Sequence, residues 1–437
     1  MITSSFTIGI YFLCISLILI NVLAFSFTVI CKNPLVGNLP TNDSAFAFTT
    51  TEQGWLFSSN NAGFLAGILP TIAMKDRLGF RVTFVISGLL CGATSGLFPL
   101  LASNIFSAAL CRFFVGFSIN GVVMAQAVFL LLWSESSYLG LITGIVMTIG
   151  EMSMMLARVS SGLFCSSSIG WPGVYFLFGS LTVISFIVFA VLYEDSSTTN
   201  DLANSEARGE ESTPYKEIFL SRTTWGLCAS WLGMSTSFVL LNNYEPTLTN
   251  KILHFSIEQT SYLSSLPPAA SLISKLLTGF VLSKLTCLTN HQKISFILSF
   301  SQFSSSALFL TLALLGANYP LLSISILTIL AGLTGISMVP VYNAAQIVAG
   351  KFTHILLASF VLVMSVPDII MPNVISILVV EQTAEEWSKC FIAVGICLVA
   401  TNTIFLTLAK VEPAHWSRES AKEAHDQDDL KVQKEGS

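Results

Sequence analysis

Five ionisable side chains lie inside long apolar stretches of the sequence, and these residues are the best placed to do chemistry. They are Arg112, Glu151, Arg158, Lys275 and Asp368. A charged side chain at the middle of a bilayer costs about 2.5 to 3.5 kcal/mol on insertion scales. Each of the five must therefore face a partner, a polar cavity or the membrane edge.

Arg112 lies in the stretch LCRFFVGFSINGVVMAQ. Its planar guanidinium suits a carboxylate or a phosphate, because it offers two parallel hydrogen bonds. We predict that Arg112 anchors an anionic substrate. The alternative is a structural ion pair between Arg112 and Glu151 on a neighbouring helix.

Glu151 and Arg158 are seven residues apart. This spacing is about two helical turns and places both side chains on one face. Apolar neighbours favour the neutral form of a carboxylate, so Glu151 is a candidate for proton exchange. A structural role for Glu151, as the partner of an arginine, is the alternative. Arg158 is close to the end of its apolar stretch, where its side chain could extend to the membrane edge.

Lys275 and Asp368 each lie in the middle of an apolar stretch. The ammonium group of Lys275 could attract an anion or pair with Asp368. Asp368 stands between Pro367 and Pro372, which predicts a broken helix whose free backbone groups line a cavity. Asn120, Tyr244 and Asn343 are uncharged candidates for contacting a polar substrate. For Tyr244 and Asn343 the alternative role is a hydrogen bond between helices.

Composition defines the elements that must position these residues. Of the 437 residues, 53% are hydrophobic and 10% are charged, whereas a soluble domain usually carries about 25% charged residues. A water-soluble enzyme is therefore excluded, and the lipid bilayer is the expected surrounding. The sequence has no basic footprint for nucleic acid. It also has no Walker-type phosphate loop and no paired histidines, so we predict no cofactor, no metal and no ATP-driven pumping.

The nine cysteines have neither CxxC spacing nor a neighbouring histidine. We interpret them as small apolar packing residues and expect neither a metal site nor a disulfide framework.

Twelve apolar runs approach or exceed the roughly 20 residues that one membrane crossing needs. The first run lacks a basic leading segment and a cleavage site, so it is predicted to be a span and not a signal peptide. The sequence thus predicts an all-α polytopic membrane protein with twelve transmembrane helices. The runs are 7 to 31, 54 to 74, 82 to 102, 105 to 130, 138 to 163, 172 to 193, 223 to 244, 261 to 283, 294 to 316, 320 to 348, 355 to 380 and 389 to 409.

A polar stretch at 194–222 separates six runs from six. Equal numbers of spans around a central polar loop are typical of a transporter built from two six-helix bundles. The predicted organisation is an N-terminal bundle (1–193), a cytoplasmic linker (194–222), a C-terminal bundle (223–410) and a disordered cytoplasmic tail (411–437).

Loop charges predict the orientation of the chain. Of the 20 Lys and Arg residues, three lie inside apolar runs. Fourteen lie in the tail and in the loops on the same side of the membrane as the termini, and three lie in the loops on the other side. Both termini are therefore predicted to be cytoplasmic. The sequon at Asn42 falls in the first outside loop and is a predicted glycosylation site. Both the plasma membrane and a vesicle or lysosomal membrane remain open.

Several motifs resemble known transporters. In AMKDRLGFRVTF, the residues Asp76, Arg77, Gly79 and Arg81 resemble the conformational-gating loop signature of the major facilitator superfamily. GWPGVYFLFG, TPYKEIFLSRTTWG, EPTLTNKILHFSIEQTSYLSSLPP and TAEEWSKCF resemble its anion:cation symporters, the family of sialin, the vesicular glutamate transporters and the type I sodium-phosphate transporters. The resemblance covers roughly residues 50 to 410 and is greatest to divergent nematode-type members.

The resemblance implies two pseudo-symmetric six-helix bundles that rock about a central site. Arg112 matches the helix-four arginine that contacts the anionic substrate in that family. The acidic residue that follows this arginine is replaced by Ile119 or Asn120, and the helix-seven arginine of the glutamate branch falls on Met234. The acidic end of the second-half loop signature is replaced by Ser283 and Lys284. These departures argue against proton coupling of the sialin kind and against glutamate specificity.

The sequence therefore predicts a secondary active transporter of a small organic or inorganic anion, with a co-transported proton or sodium ion as a further partner. The alternative is a transporter-like receptor or scaffold that binds a ligand or a partner without transport. The missing acidic residue on helix four and the altered second-half loop motivate this alternative.

Overall fold

The computed structural model describes residues 5–31, 48–132, 139–193, 215–285, 287–315, 318–414 and 417. The predicted glycosylation site at Asn42 lies outside these ranges. Within them the chain is helical, which confirms the predicted all-α architecture.

The described residues of the N-terminal half form five helices, because two spans form one long element. They are α1 (Ser5–Thr28), α2 (Thr50–Leu101), α3 (Ile105–Leu132), α4 (Leu139–Cys165) and α5 (Pro172–Leu192). At 1.5 Å per residue, the 52 residues of α2 would extend about 78 Å, more than twice the roughly 30 Å of a bilayer core. Gly79 divides α2 into two spans.

The gating-loop motif provides this division. Gly79 has φ 81°, a backbone conformation that glycine adopts without the steric cost of a Cβ. The Arg81 guanidinium then donates to the carbonyl of Ala190 at the end of α5. Asp76 and Arg77 are exposed at the end of the first span. The motif thus turns the chain and ties the turn to its own half.

The C-terminal half contains the remaining helices. The predicted linker is described only from residue 215, where the short helix α6 (Tyr215–Leu220) begins, with Ile218 buried. The chain then forms α7 (Arg222–Thr247) with a π-helical turn (Leu248–Ile252), α8 (Ile257–Leu263), α9 (Leu266–Lys284), α10 (Asn290–Leu315), α11 (Pro320–Ala349), a 3-10 turn (Gly350–Phe352), α12 (Thr353–Leu378) and α13 (Ala384–Leu408).

The predicted number of spans is confirmed over the described residues. Ten segments are long and apolar enough to cross a membrane, with α2 counted once and α8 joined to α9. Counting α2 twice and adding the 27-residue α4 gives twelve spans. Large apolar side chains face outward, and Phe106, for example, is 81% exposed. Such an apolar outer surface suits lipid and not water.

The two halves meet through equivalent helices. α2 packs against α12, and α4 packs against α8 and α9, while α1 contacts α7. α2 and α8–α9 hold the second span of each half, and α4 and α12 hold the fifth. The second span of each half therefore packs against the fifth span of the other half. The predicted pseudo-symmetry requires this pair of equivalent contacts.

The halves approach closely where α1 and α4 end and α2 and α8 begin, a region that we call the closed end. A Cβ atom on Gly162 of α4 would lie 2.1 Å from the Ser261 Cβ of α8. The Ser58 hydroxyl of α2 donates to the carbonyl of Ile369 in α12 at 3.0 Å. Close backbone contact and hydrogen bonds thus hold this end together.

Helix α12 is continuous, so the predicted break at Asp368 is wrong. Pro367 and Pro372 both lie inside the helix. Pro372 has no N–H to donate to the carbonyl four residues earlier, which is that of Asp368. The Asn61 side chain of α2 donates to this carbonyl instead, at 2.7 Å. The backbone group freed by proline therefore joins the two halves and does not line a cavity.

The prediction that the cysteines form no disulfide is wrong for one pair. Cys31 and Cys165, which are 134 positions apart in sequence, form a disulfide with their Cα atoms 5.5 Å apart. It joins the segment after α1 to the last residue of α4, at the closed end. Cys14, Cys91 and Cys111 are buried free cysteines, as the packing interpretation predicts.

Candidate functional site

Two ion pairs connect α4 to the C-terminal half. The closed-end pair is formed by Arg158 of α4 and Glu245 of α7, with Nη1 and Oε2 2.9 Å apart. The central pair is formed by Glu151 of α4 and Lys275 of α9. Because Glu151 and Arg158 are seven residues apart, the two pairs lie on one face of α4 and about 10 Å apart along it.

The closed-end pair is buried and its carboxylate is saturated. Both side chains are 1% exposed. Oε1 of Glu245 accepts hydrogen bonds from the hydroxyls of Thr249 and Ser264, at 2.8 and 3.0 Å. Oε2 is used by Arg158. Both carboxylate oxygens therefore have partners, as a buried charge requires for stability.

The Arg158 guanidinium also binds backbone carbonyls of the C-terminal half. It donates to Ser264 and, at 3.2 Å, to Asn242, while its Nε has no partner among the described residues. The prediction that Arg158 extends to the membrane edge is therefore wrong. Glu245 and these carbonyls compensate its charge inside the protein, so the side chain has no need to reach water.

The central pair is less buried and less complete. The Lys275 and Glu151 side chains are 13% and 8% exposed. Oε1 of Glu151 accepts from Lys275, whereas Oε2 is buried without a hydrogen-bond partner among the described residues. Glu151 thus pairs with a lysine and not with Arg112. Lys275 does not pair with Asp368.

Asp368 lies in the middle of α12 and is partly exposed. No described side chain forms an ion pair or hydrogen bond with its carboxylate. Its backbone carbonyl alone takes part in the contact with α2.

Arg112 is buried within the N-terminal half and is 3% exposed. Its Nη2 donates to the carbonyl of Val22 in α1 at 3.3 Å, and its guanidinium lies 4.6 Å from the centre of the Phe25 ring. Nε and Nη1 have no hydrogen-bond partner among the described residues. The charge of Arg112 is therefore not neutralised by any described carboxylate.

A row of aromatic rings connects Arg112 to the C-terminal half. The Phe25 ring lies 4.9 Å from Phe57 of α2, and Phe57 lies 5.5 Å from Tyr244 of α7. Tyr244 in turn lies 5.8 Å from Trp387 of α13. Tyr244, predicted to contact substrate, thus lies in the closed end, where it packs between Phe57 and Trp387.

The other two uncharged candidates differ. Nδ2 of Asn120 in α3 donates to the carbonyl of Phe64 in α2 at 2.8 Å, a hydrogen bond between helices. Asn343 of α11 is partly exposed and has no hydrogen bond to a described side chain.

Sequence reasoning missed Glu245. The predicted seventh span ends at residue 244, which places Glu245 in the connection to the eighth span. The helix continues to Thr247 and then into the π-helical turn. An ionisable residue directly after a predicted span was the signal that could have identified it.

Comparison with known proteins gives the same architecture and a family. Human sodium-dependent phosphate transport protein 1 is 23% identical over 408 residues, which is 89% of this chain and 84% of that protein. Human sialin is 22% identical over 383 residues, with 84% and 77% covered.

A solved structure of a bacterial homologue of the human lysosomal transporter Spinster, in an inward-facing and occupied conformation, matches with a TM-score of 0.71 at 13% identity. The match covers 92% of this chain and 96% of that one. The family model described as Major Facilitator Superfamily matches residues 14–372. With the twelve spans and their paired contacts, this match shows that the chain, a multi-pass membrane protein, belongs to the Major Facilitator Superfamily.

Proposed function

We propose that the protein is a secondary active transporter of a small organic or inorganic anion, with Arg112 as an anion-binding residue. The supporting observation is that two nitrogen atoms of the buried Arg112 guanidinium have no hydrogen-bond partner in the part of the chain that the structure describes. A buried charge without compensation is costly. An anion that reaches Arg112 would remove this cost with two charge-assisted hydrogen bonds. The names of the phosphate transporter and of sialin agree with an anionic substrate.

The closed end controls access to Arg112. Phe25 covers the guanidinium, Phe57 packs against Phe25, and Tyr244 of the C-terminal half packs against Phe57. Separation of the halves at this end parts Phe57 from Tyr244, which leaves Phe57 and Phe25 room to move away from Arg112. Alternating access then follows from opening and closing of the closed end. The transporter cycle requires the closed-end pair to break once in each turnover.

The disulfide and the loop charges support one orientation. Disulfides persist on the outer face of cells and inside secretory compartments, and not in the cytosol. Cys31 and Cys165 lie at the closed end, opposite the predicted cytoplasmic loops. The closed end then faces the extracellular space or a lumen, and both termini face the cytoplasm.

Gradients are the proposed source of energy. Glu151 and Asp368 are mid-helix carboxylates, and each is a candidate to carry a proton or to bind a sodium ion with the anion. Uptake under an imposed pH gradient, sodium gradient or membrane potential distinguishes these couplings.

The test is uptake of phosphate and carboxylates into proteoliposomes. We expect Arg112→Ala to reduce the initial rate at least about a hundredfold, the effect of losing about 2.7 kcal/mol of binding. Arg222→Ala changes an exposed arginine at the start of α7 and serves as the matched control. Normal uptake by Arg112→Ala would refute the assignment. Anion binding without counterflow of labelled anion would show a receptor and not a transporter.

A further inference from the structure

We propose that Lys275 is a second anion-binding residue and that Glu151 is a built-in carboxylate which occupies it when no substrate is bound. The substrate anion displaces Glu151 from Lys275. This inference rests on the proposed anion transport. It specifies the group that Lys275 recognises, which is a carboxylate or a phosphate.

Incomplete hydrogen bonding is the first argument. A lysine ammonium has three N–H donors. Among the described residues, the ammonium group of Lys275 donates to Oε1 of Glu151, while Oε2 of Glu151 is buried and has no partner. A half-satisfied buried carboxylate is held weakly, because the missing hydrogen bonds do not repay the loss of its hydration. Glu151 is therefore held less firmly than Glu245, and another anion can compete with it for Lys275.

The position of the central pair is the second argument. Lys275 is the tenth of 19 residues in α9, and Glu151 is the thirteenth of 27 in α4. Both lie midway along helices that face each other across the two halves. Major facilitator transporters must bind their cargo between the halves for it to be reached from both sides, and midway is where such sites lie.

Exchange at Lys275 also links binding to movement. Glu151 and Lys275 belong to different halves, so their pair holds the halves together at mid-membrane. An anion that takes the place of Glu151 removes this connection without leaving Lys275 unpaired. Substrate occupancy thereby lowers the cost of moving one half relative to the other.

Anion binding to the purified, detergent-solubilised protein tests the inference. The probes are inorganic phosphate and a panel of monocarboxylates and dicarboxylates, and the readout is the apparent Kd from the rise in Tm with anion concentration. If Glu151 occupies Lys275 about 90% of the time, Glu151→Gln should tighten binding about tenfold. Lys275→Gln should weaken it at least about tenfold, and Lys275→Arg should retain it.

The double variant Glu151→Gln/Lys275→Gln should bind as weakly as Lys275→Gln alone, because the competitor matters only while Lys275 is present. Glu385→Gln and Lys389→Gln make the same changes in an exposed pair on α13 and should leave the Kd unchanged. Size-exclusion profiles identify any variant that is not folded. If Lys275→Gln does not fold, Glu151→Gln, which preserves the shape of the side chain, and Lys275→Arg, which preserves the charge, decide the result.

Three results overturn the inference. Weaker anion binding by Glu151→Gln would show that Glu151 supports the site and does not compete for it. Wild-type affinity in Lys275→Gln, together with loss of binding in Arg112→Ala, would refute the role of Lys275 and leave the role of Arg112 intact. Failure of every probe to bind the wild type would refute both this inference and the proposed function.

Discussion

The closed-end pair and the central pair lie on one face of the same helix, seven residues apart, and their surroundings differ. Among the described residues, Glu245 has a partner at each carboxylate oxygen, whereas Glu151 has a partner at only one oxygen. The closed-end pair is 1% exposed on both sides, and the central pair is several times more exposed. Chemically similar pairs can thus have different uses: the saturated one holds a contact, and the unsaturated one is suited to exchange.

The difference comes from the neighbours and not from the charges. The end of α7 with its π-helical turn, and Ser264 at the end of α8, bring two hydroxyls and three carbonyls to the closed-end pair. The middle of α9 is a regular helix, whose backbone groups bond to each other and are not available to Glu151 or Lys275. Helix ends supply free polar groups, and helix middles do not.

The largest expected effect is loss of one partner of the closed-end pair. Arg158→Met leaves Glu245 buried without its countercharge, and we expect about 3 to 5 kcal/mol of destabilisation. Chemical unfolding of the purified protein measures it. Replacing both partners, as Arg158→Met/Glu245→Leu, should recover much of the loss. A loss below 1 kcal/mol in the single variant would remove the contrast between the pairs.

The disulfide should have the next largest effect. Cys31→Ser/Cys165→Ser removes the covalent link at the closed end, and we expect a loss of about 2 to 4 kcal/mol. A reducing agent should lower the Tm of the wild type and leave the double variant unchanged. Cys91→Ser, at a buried free cysteine, is the control for reduction, since it should keep the sensitivity.

Close packing at the closed end predicts a smaller effect. Gly162→Ala places a Cβ against Ser261 and should cost about 1 to 3 kcal/mol by overpacking. Gly162→Ala/Ser261→Gly should restore stability, because the second change removes the atoms that clash. No recovery in the double variant would show that the halves are not in contact here.

The smallest expected effect is at the central pair. Lys275→Gln should cost only about 1 kcal/mol, because the Lys275 side chain is 13% exposed and the glutamine amide can still donate a hydrogen bond to Glu151. Chemical unfolding measures the losses in the free energy of unfolding of Lys275→Gln and Arg158→Met, and their difference tests the contrast between the two pairs. A loss equal to that of Arg158→Met would make both pairs structural.

Some of the site was evident before folding was considered. Charges inside apolar runs identified Arg112, Glu151, Arg158, Lys275 and Asp368, and the spacing on α4 placed Glu151 and Arg158 on one face. Their partners were not evident, because helical periodicity fixes the face within one helix and gives no information about the helix opposite. The predicted break at Asp368 failed for a similar reason: Asn61, which satisfies its carbonyl, is 307 residues away.

The sequence by itself determined that this protein crosses the membrane with twelve helices and that few charges lie within them, since hydropathy and length depend only on local residues. The tertiary structure alone decided that Arg158 meets Glu245, that Lys275 meets Glu151, and that Cys31 meets Cys165. These contacts join residues 87 to 134 positions apart. Only the packing of helices brings such residues together, so it is packing that separates a structural charge from one that can exchange.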